Sequence, residues 1–357
     1  MGRSILVLPG DGIGPEVTRQ AVRVLSAVSE RQQQSWEIQE AAIGGAAIDA
    51  ANHPFPDATR ALVERADAIL LGAVGGPQWA EAAATPEQGL LALRASLGLF
   101  ANIRPFEVLP GLEAVTPLKK SRFAGVIIRE LLGGLYYGTP RGIQGDRAVD
   151  TSIYAVDEIL RIARIGFEMA RQQGVALVSV DKANVLDTSK LWRATVSALG
   201  AREYPDVSLE HRYVDAAAME MVLAPERYRV VVTENLFGDI LSDLSGGLVG
   251  SLGVLGSATV GGWTGGKGLY EPVHGSAPDI AGQGIANPMG AVWSVSLMLE
   301  WSFGLHEVAE LIREAVRDTA GRGIRTPDLG GTAGTDDVAD AILERMNNLW
   351  SALPAGR

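Results

Sequence analysis

The 357-residue chain contains no cysteine. That absence removes disulfides, thiolate metal sites and a cysteine nucleophile together, and it fits a reducing compartment, so a cytoplasmic setting is expected. Histidine is scarce: His53, His211, His274 and His306 are scattered without zinc-ligand spacing, so any metal must be held by oxygen. No apolar run of membrane-spanning length is free of glycine clusters and charge, and the chain opens directly on a strand-like segment. Neither a membrane span nor a signal peptide is expected. Positive charge is in deficit, with a net charge of −11. An acidic surface argues against nucleic acid or an anionic membrane as partner. An anionic ligand would have to be met by local basic residues. Apolar residues, at 47%, are plentiful enough for a large core, and a chain this long is expected to divide into two lobes.

Apolar β-branched runs alternate with helix-type patterns, which predicts an α/β chain with a largely parallel sheet. Ser4–Leu8 reads as the first strand, and Gly10-Asp11-Gly12-Ile13-Gly14-Pro15-Glu16 as a glycine-rich turn into a helix. It is not a dinucleotide fingerprint, because the third glycine of G-x-G-x-x-G comes one residue early. A buried strand, Ala68–Leu71, ends in Gly72-Ala73-Val74-Gly75-Gly76, where backbone amides can approach a ligand closely. Arg129-Glu130-Leu131 through Gly138 is expected to turn back like a hairpin with glycines at the bend. The polar stretch Gly138–Thr151 is expected to be an arm or loop, and the glycine-rich stretch Gly246–Gly268 to be loops.

The chemistry is expected around Thr233–Asp243, where a strand Val230–Thr233 runs into a helix bearing Asp239 and Asp243. Their i, i+4 spacing puts both carboxylates on one helix face. Like charges so close are costly unless a cation lies between them, and hard oxygen donors select Mg2+ or Mn2+. On a helix Glu87–Leu97, Glu87, Leu90, Leu91 and Arg94 share one face. With Arg104 and Arg129 at the ends of apolar segments, Arg94 makes a set of three planar forks suited to a di-anionic substrate. Lys182 directly follows a strand Val175–Val180, and Asp215 stands at a second strand-to-helix junction. Either tyrosine of Tyr136-Tyr137 is a possible proton donor, or the pair packs in a strand.

Taken in order, Leu8–Glu16, Arg129–Leu131, Val180–Leu186, Asn235–Asp243 and His274–Gly282 resemble the β-decarboxylating dehydrogenases of the isocitrate/isopropylmalate family, over essentially the whole chain. The resemblance implies a two-domain α/β fold with a large mixed sheet flanked by helices, not a Rossmann fold. Residues 1–101 and 251–357 would form the cofactor-side domain, and 102–250 the central domain carrying the metal site and a homodimer interface. It implies NAD and Mg2+ or Mn2+ as cofactors. Asp239 and Asp243 would hold the metal with Asp215, which reaches across with Lys182 from the second subunit. Lys182 would act as base and Tyr136 as proton donor, with Asp215 beside them. Arg94, Arg104 and Arg129 would clamp a small dicarboxylate, and Leu90 would pack against its alkyl group, which favours isopropylmalate over isocitrate. Val74, Gly75, Gly76, Glu87, Asn184, His274, Gly275, Ser276, Ala277, Asp279, Ile285 and Asn287 would bind the cofactor. Asp279, on the adenosine ribose, would favour NAD over NADP. Leu132 stands where isopropylmalate enzymes have threonine, Lys119–Arg129 is a few residues short, and Gly246–Gly268 departs from the family's sequence. Another 3-substituted malate such as benzylmalate, or tartrate, D-malate or homoisocitrate, therefore stays open as substrate.

Overall fold

The computed structural model describes residues 2–352 apart from 82, 119–121 and 264; part of the shortened Lys119–Arg129 stretch thus lies outside the described residues. The strands are β1 (Ser4–Gly10), β2 (Glu37–Glu40), β3 (Ala68–Ala73), β4 (Ala101–Glu107), β5 (Ala124–Glu130), β6 (Gly142–Gln144), β7 (Arg147–Val149), β8 (Leu177–Asp181), β9 (Leu209–Tyr213), β10 (Val230–Thr233), β11 (Gly256–Val260) and β12 (Gly268–Pro272). Ten of them form one sheet in the order β2-β1-β3-β12-β11-β4-β5-β10-β8-β9. β2, β1, β3 and β12 pair in parallel, as do β5, β10, β8 and β9. The pairings β12–β11, β11–β4 and β4–β5 are antiparallel. The sheet is therefore mixed, as the resemblance implied: two parallel halves, holding most of the pairings, joined through an antiparallel centre.

Strands buried on both faces read as continuous apolar runs, and Ala68–Ala73 and Val230–Thr233 are buried throughout. The helix Met289–Trp301 is apolar all round and buried along Met289–Leu299. It has no solvent side because β11, β12 and the helices Gly14–Arg31 and His306–Gly321 enclose it. Pro15 opens the Gly14–Arg31 helix, where its missing N–H costs no hydrogen bond. Pro105 is tolerated inside β4 because β11 pairs with β4 only along Ala101–Ile103.

Two local expectations are corrected. The acid-bearing helix runs on from Asn235 to Val249, and β11 occupies the centre of the sheet, so much of Gly246–Gly268 is regular structure. Its glycines serve close packing: a Cβ on Gly246 would lie 2.3 Å from Leu252 Cδ2, and one on Gly256 would lie 2.6 Å from Ser294 N. The Arg129–Gly138 stretch is no hairpin. β5 carries Arg129 and ends at Glu130, and a 3-10 turn at Gly134–Tyr136 follows. The buried Glu130 carboxylate accepts from Leu132 N at 3.0 Å and Gly133 N at 2.8 Å, bending the chain away from the sheet. The arm expected at Gly138–Thr151 is an exposed two-stranded hairpin, β6–β7.

Candidate active site

Register places a polar row on one face of the sheet, since directly paired residues point the same way. Thr259 of β11 pairs with Asn102 of β4, Asn102 with Arg129 of β5, and Arg129 with Thr233 of β10. Arg104 follows Asn102 by two residues and shares its face. Asn102 Nδ2 donates to Thr259 Oγ1 at 2.9 Å, and Arg104 Nε donates to Asn102 Oδ1 at 2.5 Å. The Asn235–Val249 helix packs against β4 and β5. Its approach is close: a Cβ on Gly238 would stand 2.6 Å from Arg129 Cγ.

This packing brings the helix acids to the arginines. Arg129 Nη1 and Tyr136 Oη both donate to Asp239, the tyrosine at 2.9 Å. Arg104 Nη1 donates to Ser242 Oγ at 2.7 Å and lies 3.5 Å from Asp239 Oδ1 and 3.6 Å from Asp243 Oδ1. The cation that lies close to both aspartates is thus the Arg104 guanidinium of the same chain. Arg94 Nη2 forms a buried ion pair with Glu271 Oε1 at 2.6 Å. Burial, followed by the neighbouring arginines, pulls the Arg129 pKa down. Burial lowers that of Arg104 despite Asp239. Burial also acts on Arg94, but Glu271 more than reverses it. Burial and then Asp239 push the Tyr136 phenol up, so the phenol keeps its proton. Asp243 is pushed up by burial and by Asp239. Leu90 is half-buried against the smaller apolar cluster beneath β1 and β3.

Lys182 and Asp215 form an ion pair of their own, and the Lys182 contact holds the Asp215 pKa down. Beneath it, the buried Asp181 takes Arg193 in bidentate fashion at 2.8 and 2.9 Å and caps Ala183 N. Among the described residues no three His, Cys, Asp or Glu side chains cluster as a metal site, so one chain does not bring Asp215 to Asp239 and Asp243.

The expected cofactor residues are built mainly from backbone. Asp11 accepts from the amides of Gly45 (2.9 Å), Ala46 (2.8 Å) and Gly75 (2.8 Å), fastening the first turn to the Gly75 loop. Glu87 lies against that loop: a Cβ on Gly75 would stand 2.6 Å from Glu87 Oε1. Val74 is half-buried and Gly76 opens the short turn Pro77–Trp79. Ile13 N donates to Ser276 O at 2.8 Å, joining the first turn to the 274–287 loop. Gly12, at φ +59, needs glycine because a Cβ would lie 1.9 Å from that oxygen. Beside this junction a cleft of about 270 Å³ is lined by Gly12, Pro15, Glu16, Arg19, Gly282 and Gly284. Ala277 adopts a positive φ, His274 Nδ1 bonds Gly275 O, and His274 Nε2 is enclosed without a partner. Burial lowers the His274 pKa, which keeps the ring neutral. Asn287 holds Asp328 and Met289 N. Asp279 is exposed and Ile285 half-buried. Asn184 stands exposed on the Lys182 turn.

The chain matches the isocitrate/isopropylmalate dehydrogenase model over residues 4–342. It belongs to that family. It is 50% identical to a 3-isopropylmalate dehydrogenase of Pseudomonas fluorescens, across 98% of this chain and all of that one. It is 51% identical to the 3-isopropylmalate dehydrogenase of Chromohalobacter salexigens, across 96% of this chain and 98% of that one. The isocitrate dehydrogenase of Methylococcus capsulatus superposes with a TM-score of 0.85 at 36% identity, covering 96% of this chain and 99% of that one. The failed dinucleotide fingerprint agrees with this family, whose sheet is the mixed one described above. Sequence reasoning passed over Asn235, Glu271, Asn102 and Ser242 of this family member. Each acts through a partner distant in sequence, and only Asn235 and Ser242, inside the Asn235–Asp243 motif, carried any local signal.

Proposed function

We propose that the protein oxidises and decarboxylates 3-isopropylmalate to 4-methyl-2-oxopentanoate and CO2, using NAD and Mg2+ or Mn2+, as a step of leucine biosynthesis. The observation that carries the reading is the closed constellation of Arg104, Arg129, Tyr136 and Asp239 in a chain of this family. Asp239 and Asp243 offer the hard oxygen donors that such an ion needs, and the enclosed, unpartnered His274 Nε2 suits a heterocycle beside it. When bound, the ion polarises the hydroxyl oxygen and the nicotinamide accepts the hydride.

Arg94, Arg104 and Arg129 hold the two carboxylates and fix the carbinol carbon, and Leu90 takes the alkyl branch. Lys182, with Asp215, removes the hydroxyl proton. Tyr136, kept protonated, returns a proton to the carbon that loses CO2. Asp239 orients Tyr136 and Arg129 together. Asp11, Gly75 and Glu87 shape the nicotinamide end; His274 and Asn287 frame adenine, and Asp279 meets the ribose and disfavours a 2′-phosphate.

The reading divides the chain into 1–101 with 251–357, and 102–250, and makes the enzyme a homodimer in which Asp215 and Lys182 serve the partner's site. The separation of Asp215 from Asp239 within one chain supports this, as do Met219, Val222 and Ile240, exposed on the two helices that bear Asp215 and Asp239. No described helix is long and apolar enough to cross a membrane. The lack of cysteine accords with a cytoplasmic enzyme.

The test is NADH formation from 3-isopropylmalate with Mg2+ or Mn2+, lost on chelation and restored by the metal. A higher kcat/KM for 3-benzylmalate, tartrate, D-malate or homoisocitrate would reassign the substrate.

A further inference from the structure

Asn235 is fully buried at the first position of the acid-bearing helix, and every hydrogen-bonding site of its carboxamide is used. Oδ1 accepts from Arg129 Nε at 3.0 Å and from Arg129 Nη2 at 2.7 Å. Nδ2 donates to Leu131 O and to Gly133 O, both at 3.1 Å. The backbone N–H of Asn235 donates to Tyr154 Oη at 3.0 Å, and that hydroxyl donates to Glu234 Oε2. The amide orientation is dictated by its neighbours. Flipping it would set N–H groups against a guanidinium and an oxygen against two carbonyls.

One face of this side chain therefore sets the fork of Arg129, and the other sets the Leu131–Gly133 segment that leads directly into the Gly134–Tyr136 turn. Arg129 and Tyr136 then meet on Asp239. We infer that Asn235 is a positioning residue that couples the substrate-carboxylate arginine to the proton-donating tyrosine. The inference rests on the roles proposed above for Arg129 and Tyr136. Aspartate keeps the acceptor for Arg129 but turns a carboxylate oxygen toward two carbonyl oxygens. Alanine removes both arms.

Asn235→Asp, Asn235→Ala and Tyr136→Phe, with the Asn235→Asp/Tyr136→Phe double variant, test this by steady-state kinetics. In Asn235→Asp the KM for the substrate stays within about threefold while kcat falls about 30-fold and its solvent deuterium isotope effect grows, as proton delivery becomes limiting. Asn235→Ala additionally raises that KM about 10-fold. The double variant is no slower than Tyr136→Phe alone, because both changes act on one step. Multiplicative losses in the double variant would overturn the coupling. So would a variant that loses thermal stability while keeping kcat and KM. If Asn235→Asp does not fold, Asn235→Ser, which keeps one acceptor, is read by the same criteria. Full turnover by Tyr136→Phe would instead remove the reading beneath the inference, and the inference with it.

Discussion

At the arginine end of the site, side chains bond mostly to side chains; at the glycine end, side chains bond mostly to backbone. Arg104, Arg129, Asn102, Asn235, Ser242 and Asp239 satisfy one another across β4, β5 and the following helix. Around Gly75 and Ser276 the chain is shaped by turns, and two buried acids act as fasteners. Asp11 gathers three amides, and Glu16 receives Ala286 N at 3.0 Å together with the Thr335 hydroxyl. The first arrangement suits a small, highly charged ligand that must be oriented to a fraction of an ångström. The second suits a long ligand whose rings and sugars are recognised largely by shape.

Four substitutions would break or sharpen this contrast. Asp239→Asn should be the most damaging, because it withdraws the one carboxylate shared by Arg129 and Tyr136 and approached by Arg104. A loss in kcat of about 10⁴-fold is expected, measured by NADH formation with saturating metal. Lys182→Met should cost about 10³-fold in the hydride step while the assembly seen by gel filtration persists; near-normal turnover would count against Lys182 as base. Asp11→Ala belongs to the other end. Losing three amide contacts to one carboxylate should lower stability by about 3 kcal/mol and raise the KM for NAD more than that for the substrate. Equal rises in both constants would erase the distinction between the two ends. Asp279→Ala should have the mildest effect, weakening NAD about 10-fold and NADP less. An unaltered preference between the two cofactors would take Asp279 out of its role.

How far the sequence could be read follows the same division. Asp239 and Asp243 share a helix face by simple periodicity, and the strand before them is an unbroken β-branched run, so both were legible. The arginines could be suspected but not their partners. Glu271 lies 177 positions from Arg94, and nothing local marks it as the buried counter-charge. Glycine misled twice. In Gly246–Gly268 it signals loops by composition, yet Gly246 and Gly256 are glycine because a side chain would strike Leu252 or the backbone of the Met289–Trp301 helix. In Gly133-Gly134 the bend is real. Its direction is set by Glu130, a buried carboxylate whose pKa burial raises even as Leu132, Gly133 and Arg161 contact it. Asp215 was placed correctly at a strand-to-helix junction, but its proposed destination is a second molecule, which no periodicity within one chain can encode.

The sheet itself carries a mechanical consequence. Three successive antiparallel pairings make the two parallel blocks run in opposite directions, and no linker interrupts the hydrogen-bonded path between them. Severing any rung would leave buried peptide groups without partners. If the two proposed domains close on a ligand, the displacement is therefore absorbed as torsion distributed through β11, β4 and β5, the same ribs from which Asn102, Arg104 and Arg129 project. Gripping and twisting would then be one motion of one girder.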